Sequence, residues 1–369
     1  MKRILLYGHF AKYGGTETHV SALAQLLSRA GAEVVIASLS RDLFDAQQTV
    51  FHEAGIETVS TGLCYDSPLR LKHVRALGLW LGKLPLHSFD IVCGFGAGGF
   101  LSLLSTLRKR DGLLYFNECS AGIRSRYFDK SAITLRVADG ILCNALTVEE
   151  NMRRSYTIGA PVRVLPHFTC LDMNRPATKR FAPKGVLRVA FFGRLDPSKG
   201  PALLLDVWSD LDIGPAELTF YGDGELRGQL QEVVARRRLS NVKFGGGYDQ
   251  RNDLGRLLSG VDLVVLPSPS EGLGLVLLEA MFYGVPFVGT NNGGPRDIAS
   301  AANGCLAVEP SQQGVKSGIE RLKQGIMSGR ISAQAIQDDY MRRFSVDVLW
   351  PRWRAAFLEP VEFWKQPSC

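Results

Sequence analysis

The chain has 369 residues, 46% of them apolar and 21% charged, enough for two ordinary soluble domains with buried cores. Its formal charge of +7 is uneven, +8 over residues 1–184 and −1 over 185–369, so the first half suits anionic partners such as a phospholipid surface, a lipid-linked phosphate or nucleic acid, unless the excess is only a solvated surface. The seven cysteines show no C-x-x-C and no histidine at ligand spacing, which excludes a zinc framework and reads as reduced, buried thiols of a cytosolic protein.

In chain order, the charged start at Lys2 and Arg3 precedes an apolar run too short for a signal peptide, so 4–7 is predicted as a first strand. A loop over 8–13 ends at Gly14 and Gly15. The spacing of Val20, Leu23, Ala24 and Leu27 predicts a helix over 16–30, and the next strand begins at Glu33. This is the β-loop-α-β unit of a parallel sheet. The glycine pair either lets another molecule approach the backbone or serves a tight turn.

Strand-like runs recur at 90–93, 112–116, 140–143 and 162–165, with helical patterns at 100–107 and 148–156, which points to a doubly wound sheet. The longest uncharged stretch, 91–107, carries four glycines and two serines and reads as strand, loop and helix rather than a membrane span. Within it, Gly94, Gly96 and Gly99 match the dinucleotide-binding pattern, with Glu118 at the expected distance. That pattern ordinarily opens its domain, however, and here other strands precede it. Asn117 can hydrogen-bond a hydroxyl but cannot act as a base, whereas Glu118 can.

A basic, proline-punctuated stretch over 174–184 marks the domain boundary. A strand over 186–192 then leads to Arg194 and Lys199, five residues apart on one loop, so both can reach a single diphosphate. Strands at 218–221 and 241–244 end in glycine turns beside Tyr221, Gly246 and Tyr248. The acidic pairs Asp210 with Asp212 and Asp223 with Glu225 fall in turns, so no metal site is expected.

The densest stretch is a strand at 261–266, a loop at 267–270 and a helix at 274–282. Its backbone N–H groups at Gly272, Leu273, Gly274 and Leu275 open on a helix N-terminus, which favours an anion or a hydroxyl. Glu271 stands at the mouth and Glu279 a little over two turns on, on the same side. Carboxylates accept hydrogen bonds only, which suits vicinal hydroxyls, though a capping and a solvated glutamate would look the same. In the tail, Leu349, Trp350, Trp353 and Phe357 keep helical spacing.

Glu271 and Glu279, with the glycines between them, resemble the paired-glutamate motif of retaining GT-B glycosyltransferases of the GT4, or group 1, family, which includes sucrose synthases and bacterial mannosyltransferases. Arg194 and Lys199 match that family's phosphate-binding pair, and the run 291–298 is similar to its Gly-Gly-x-x-Glu with Asp297 in the acidic place. The resemblance is strong over 186–300, fair over 1–40 and weak over 40–165. It implies an α/β GT-B fold of two Rossmann-like doubly wound parallel-sheet domains facing across a cleft. Their expected extents are 1–174 for the acceptor and 175–345 for the donor, with a helix in 346–369 returning to the first domain.

The resemblance further implies a nucleotide-diphosphate sugar, UDP- or GDP-linked, no cofactor or metal, and a lipid-linked or saccharide acceptor. The setting implied is envelope-glycan assembly, such as lipopolysaccharide, O-antigen, capsule or exopolysaccharide, in the cytoplasm at the inner membrane face, without nucleic acid. Catalysis falls to Arg194, Lys199 and Glu271. Donor binding falls to Gly14, Gly15, Gly272, Leu273, Gly274, Leu275 and Glu279, the last on the ribose, and Tyr221, Gly246 and Tyr248 flank the base. Asn117 or Glu118 stands where the family often has an acceptor-side histidine, and His167, in the place of the Asn of Pro-Asn-Gly, reads as a hinge-wall residue. The rivals are a GT-B sugar-nucleotide epimerase, a nicotinamide-dependent oxidoreductase using Gly94–Gly99, and a non-catalytic sugar-nucleotide binding module.

Overall fold

Apolar runs that end in glycine or polar turns become parallel strands throughout a computed structural model, which describes residues 1–12, 14–63, 84–96, 109–123, 134–169, 175–181, 185–249 and 253–365. Two units result: Met1–Cys170 with Leu349–Cys369, and Leu171–Val348.

The first unit contains β1 (Arg3–Gly8), β2 (Glu33–Ser40), β3 (Glu57–Leu63), β4 (Ile91–Phe95), β5 (Leu113–Glu118), β6 (Gly140–Cys143) and β7 (Val162–Val164). They lie in the order β3-β2-β1-β4-β5-β6-β7, every pair parallel. Connections include α1 (Gly15–Arg29), α2 (Asp42–Glu53) and α3 (Leu146–Ser155). Ile4, Leu5, Leu6 and Tyr7 are all inaccessible to solvent, as a strand covered on both faces requires. The order reverses beside β1, with β2 on one side and β4 on the other. Ligands of open α/β sheets bind outside the carboxyl ends of strands at such a reversal.

The chain returns to this unit at its end through α10 (Val346–Leu358) and α11 (Pro360–Lys365), the intervening helices belonging to the second unit. Leu349, Trp353 and Phe357 form the buried stripe, while Trp350 is partly exposed. Trp353 Nε1 donates to the Pro166 carbonyl at 2.9 Å and the Tyr115 hydroxyl to the Ala356 carbonyl at 3.1 Å. Trp364 Nε1 donates to the Tyr115 hydroxyl at 2.9 Å. Gly140 makes room for that indole, since a Cβ there would lie 2.1 Å from it.

The second unit contains β8 (Leu187–Phe192), β9 (Ala216–Tyr221), β10 (Val242–Gly246), β11 (Leu263–Val265), β12 (Phe287–Thr290) and β13 (Cys305–Val308). Their order is β10-β9-β8-β11-β12-β13, again parallel, with the reversal beside β8. Its helices include α4 (Pro201–Ser209), α5 (Arg227–Arg236), α6 (Leu254–Ser259), α7 (Leu275–Phe282), α8 (Gln312–Met327) and α9 (Ala333–Arg343). The segment after the expected boundary is pinned here: Arg175 donates to the Asp338 carboxylate at 2.7 Å, and Lys179 to the Ser259 carbonyl at 2.7 Å.

Two differences from the sequence reading are physical. The strand expected at 261–266 is shortened to 263–265, although the Asp262 N–H still donates to the Arg188 carbonyl at 2.8 Å and the Asp262 carboxylate accepts from the Arg188 backbone and guanidinium at 2.9–3.0 Å. Gly94 of the dinucleotide-like pattern lies inside β4, paired with Tyr7 and Phe116, and not in a turn. Residues 97–99 of that pattern, and the helix expected over 100–107, lie outside the described residues. Among the described residues no helix is long and apolar enough to cross a membrane.

Candidate functional site

In the second unit the two strands at the reversal, β8 and β11, each end in a loop that carries site residues. The β8 loop is shaped by Asp196, whose carboxylate accepts the Ser198 N–H at 2.9 Å, and by Gly200 at φ 70°. A side chain at Gly200 would place its Cβ 2.3 Å from the Pro267 carbonyl. Only glycine allows that approach, which presses the end of the first loop against the second.

Lys199 Nζ then donates to both oxygens of Glu271, at 3.0 and 2.7 Å. Ser268 Oγ donates to the same carboxylate at 3.0 Å. Ser268 is inaccessible and Glu271 is 8% exposed. The Glu271 backbone is clasped to the loop after β12: its N–H donates to Asn292 at 3.3 Å, and the Gly294 N–H donates to Gly272 at 2.6 Å. A Cβ at Gly293 or Gly294 would lie 1.8 Å from the Glu271 carbonyl or 2.1 Å from that of Gly272, which gives the glycine pair before Asp297 its reason. Gly274, at φ 78°, begins α7 without a side-chain cap, so no side chain caps the first-turn N–H groups.

On α7, Glu279 is 1% exposed. Burial first, and the Glu279 charge second, push the Tyr248 hydroxyl well above its ordinary range. Tyr248 meets Phe192 edge-on at 5.4 Å, and Phe192 stacks on Tyr221 at 4.8 Å. Gly245 is seated so closely on Tyr221 that a Cβ would come within 2.4 Å of the ring. Gly246, just beyond, takes φ 77°. Of the residues expected from sequence, the structure therefore joins Lys199 with Glu271. Arg194 is paired instead with Asp196 on its own loop, at 3.2 Å, its side chain 59% exposed. Ser268 was not singled out from sequence; its signal was its place three residues before Glu271.

In the first unit, Gly14 is extended at φ 168°, and the Glu17 carboxylate lies against it while accepting the Ala11 N–H at 2.8 Å. Glu118 accepts the Ser120 N–H at 2.8 Å. Asn117 Oδ1 lies 3.0 Å from His167 Nε2, and the His167 ring stacks on His19 at 4.1 Å and 5°. His167, read from sequence as a hinge-wall residue, is thus an interior residue of this unit. His19 Nδ1 accepts the Phe168 N–H at 3.3 Å, so its neutral ring carries the proton on Nε2. Phe95, Phe168 and Trp353 surround His19 at 6.1, 4.6 and 4.5 Å. Burial lowers both imidazoles: His167 to about 3, and His19 well below its usual value with the neighbouring His167 adding to the effect. Both rings are therefore neutral near pH 7. No group of three or more His, Cys, Asp or Glu residues able to hold a metal occurs among the described residues.

Both units are similar to known proteins. The model described as "Glycosyltransferase Family 4" matches residues 13–172, and that described as "Glycosyl transferases group 1" matches 176–337. The 2-deoxystreptamine N-acetyl-D-glucosaminyltransferase of Niallia circulans is 32% identical over 143 residues, 38% of this chain and 36% of that protein. The lipopolysaccharide core biosynthesis glycosyltransferase LpsE of Rhizobium meliloti (strain 1021) is 28% identical over 230 residues, 56% of this chain and 64% of that protein. The matched regions thus span about a third of the first relative's length and under two thirds of the second's. HepE from Anabaena, solved in complex with UDP and glucose, matches with a TM-score of 0.74 at 19% identity, covering 98% of this chain and 100% of that one. That likeness is one of fold, and the two parallel-sheet units are those of GT-B proteins. With the two family models lying end to end along it, the chain belongs to the GT4, or group 1, glycosyltransferases.

Proposed function

We propose that the protein transfers a glycosyl group, with retention of configuration, from a nucleotide-diphosphate sugar to a saccharide or lipid-linked acceptor of an envelope glycan. The observation that carries this reading is the contact of Lys199 with Glu271 where β8 and β11 part, beside the uncapped start of α7. Departure of the nucleoside diphosphate gathers negative charge on a phosphate oxygen. The Lys199 ammonium and the N–H groups of Gly272–Leu275 stabilise it, and Arg194 adds a guanidinium once drawn from Asp196. These groups supply the charge stabilisation, so neither a metal nor a cofactor is invoked.

Glu271 accepts hydrogen bonds from donor-sugar hydroxyls and Glu279 from the ribose, with Tyr248, Tyr221 and Gly246 toward the base. The donor role of Gly14 and Gly15 rests on the family resemblance, and the Glu17 carboxylate lies against Gly14. In the first unit Asn117 and Glu118, the residues read toward the acceptor, are both buried, with Asn117 Oδ1 against His167 and the Glu118 carboxylate on Ser120, so either meets an acceptor oxygen only on rearrangement. UDP bound to HepE and the lipopolysaccharide role of LpsE support a UDP-linked donor and an envelope acceptor. The basic excess of residues 1–184 supports work at the anionic inner face of the membrane.

The test is a thermal-shift panel of UDP-, GDP- and ADP-sugars with a donor-turnover assay on the hits. A ligand at about 100 times its Kd adds roughly 2.7 kcal/mol to stability, so one nucleotide class should raise the melting temperature and be consumed. Glu271→Ala should abolish turnover while remaining folded. Absence of a shift with every donor, together with absence of turnover, overturns the reading.

A further inference from the structure

We propose that Ser268 is a positioning residue for Glu271, and that it lets Lys199 exchange partners, from the carboxylate to the diphosphate, without releasing the carboxylate. This deepens the function proposed above and rests on it.

Lys199 makes both its short contacts to Glu271. Two of its three N–H donors face Glu271, so a diphosphate that takes more than the third draws the ammonium off that pair. Glu271 would then be a carboxylate on a glycine-rich loop with its principal partner gone. The structure supplies a second hold from the inner side. Ser268 Oγ donates to Oε2 at 3.0 Å, and the Ser268 carbonyl accepts the Thr290 hydroxyl at 2.6 Å. Ser268 and Thr290 are both fully buried, and Thr290 ends β12. The serine is thereby tied to a sheet strand.

The two holds differ in how readily they break. The Lys199 side chain is 26% exposed against 10% for that of Glu271, and its stem has four rotatable carbons. The serine has one rotor, and its loop is anchored. A phosphate therefore draws away the lysine and leaves the serine. A carboxylate offers about four acceptor positions. Departure of Lys199 frees Oε1 and one position on Oε2, the pair that two neighbouring sugar hydroxyls require. The site recognises the nucleoside diphosphate through Lys199 and the sugar through the Glu271 that Ser268 holds.

The experiment compares UDP with UDP-glucose, or GDP with GDP-mannose where the panel selects guanine, by calorimetry and steady-state turnover in the wild type, Ser268→Ala, Ser268→Thr and Glu271→Ala. Ser268→Ala should bind the free nucleotide within about twofold of the wild type, lose about tenfold of the extra affinity the sugar confers, and lose about tenfold in kcat. Ser268→Thr, which keeps the hydroxyl, should regain most of both. Thr290→Val should show the same pattern at about threefold, and it reads the same relay should Ser268→Ala fail to fold.

Wild-type sugar affinity and turnover in Ser268→Ala, with Glu271→Ala inactive, overturns the positioning role and leaves the proposed function standing. Equal losses for nucleotide and nucleotide sugar in Ser268→Ala also overturn it, because they assign Ser268 to loop folding alone. Normal turnover in Glu271→Ala removes the parent reading first.

Discussion

Where β8 and β11 part in the second unit, the strand ends present Lys199, Glu271 and Ser268. Where β1 and β4 part in the first, the neighbouring space holds Phe10, Phe95, His19, His167 and Trp353, all nearly inaccessible. The same parallel-sheet plan thus yields a charged mouth in one unit and a neutral, aromatic interior in the other. The difference follows from access to water. A lysine at the end of a loop keeps part of its hydration while pairing with a carboxylate, whereas a fully enclosed imidazole sheds its proton and stacks. The chemistry proposed here needs charge, so it is assigned to the second unit, and the histidines of the first are assigned to holding α10 on the sheet.

The largest expected effect tests the charged side. Lys199→Ala should reduce kcat by roughly 100- to 1,000-fold, as loss of one transition-state donor does, with the fold retained by circular dichroism. Turnover within tenfold of the wild type would break the contrast, since the mouth would then need no cation.

The next tests the neutral side. Both imidazoles have folded values below the unfolded value of about 6.5, so the unfolded chain takes up protons first as the pH falls. The stability held in keeping them neutral is whole above about pH 6.5 and is lost on descent toward about 3, the folded value of His167. For His167 the loss should be on the order of 2 kcal/mol between pH 7 and 5, with His19 acting in the same direction. Urea unfolding at the two pH values measures it, and His167→Phe should show a smaller loss. Equal losses in the two proteins would remove His167 from the account.

The smallest sharpens the boundary of the charged site. Arg194 is largely exposed and already paired with Asp196, so Arg194→Ala should raise the donor KM by less than about tenfold and change kcat less. An effect as large as that of Lys199→Ala would move Arg194 from the rim into the centre.

Much of the site was legible because its residues are announced by type. A lysine a few residues beyond a strand, and a glutamate before a glycine and a helix, single out a candidate loop, though a capping glutamate would look the same. Ser268 was not legible, because its role depends on β12 running beside β11 and on Gly293 touching Glu271. Spacing places Arg194 and Lys199 within reach of one diphosphate, but it does not show the local pairing of Arg194 with Asp196 two residues away. The stacked histidines were hidden for a related reason: they lie far apart in sequence, on α1 and just after β7.

The sequence alone determined that parallel sheets would form, because strand-like runs alternate along it with the long helical connections that parallel pairing needs. It also determined which residue types stand at the strand ends. Tertiary structure alone decided which of those residues meet and which are neutral. Strand order, close glycine contacts and exclusion of water belong to the assembled sheets, and no local stretch of the chain encodes them by itself.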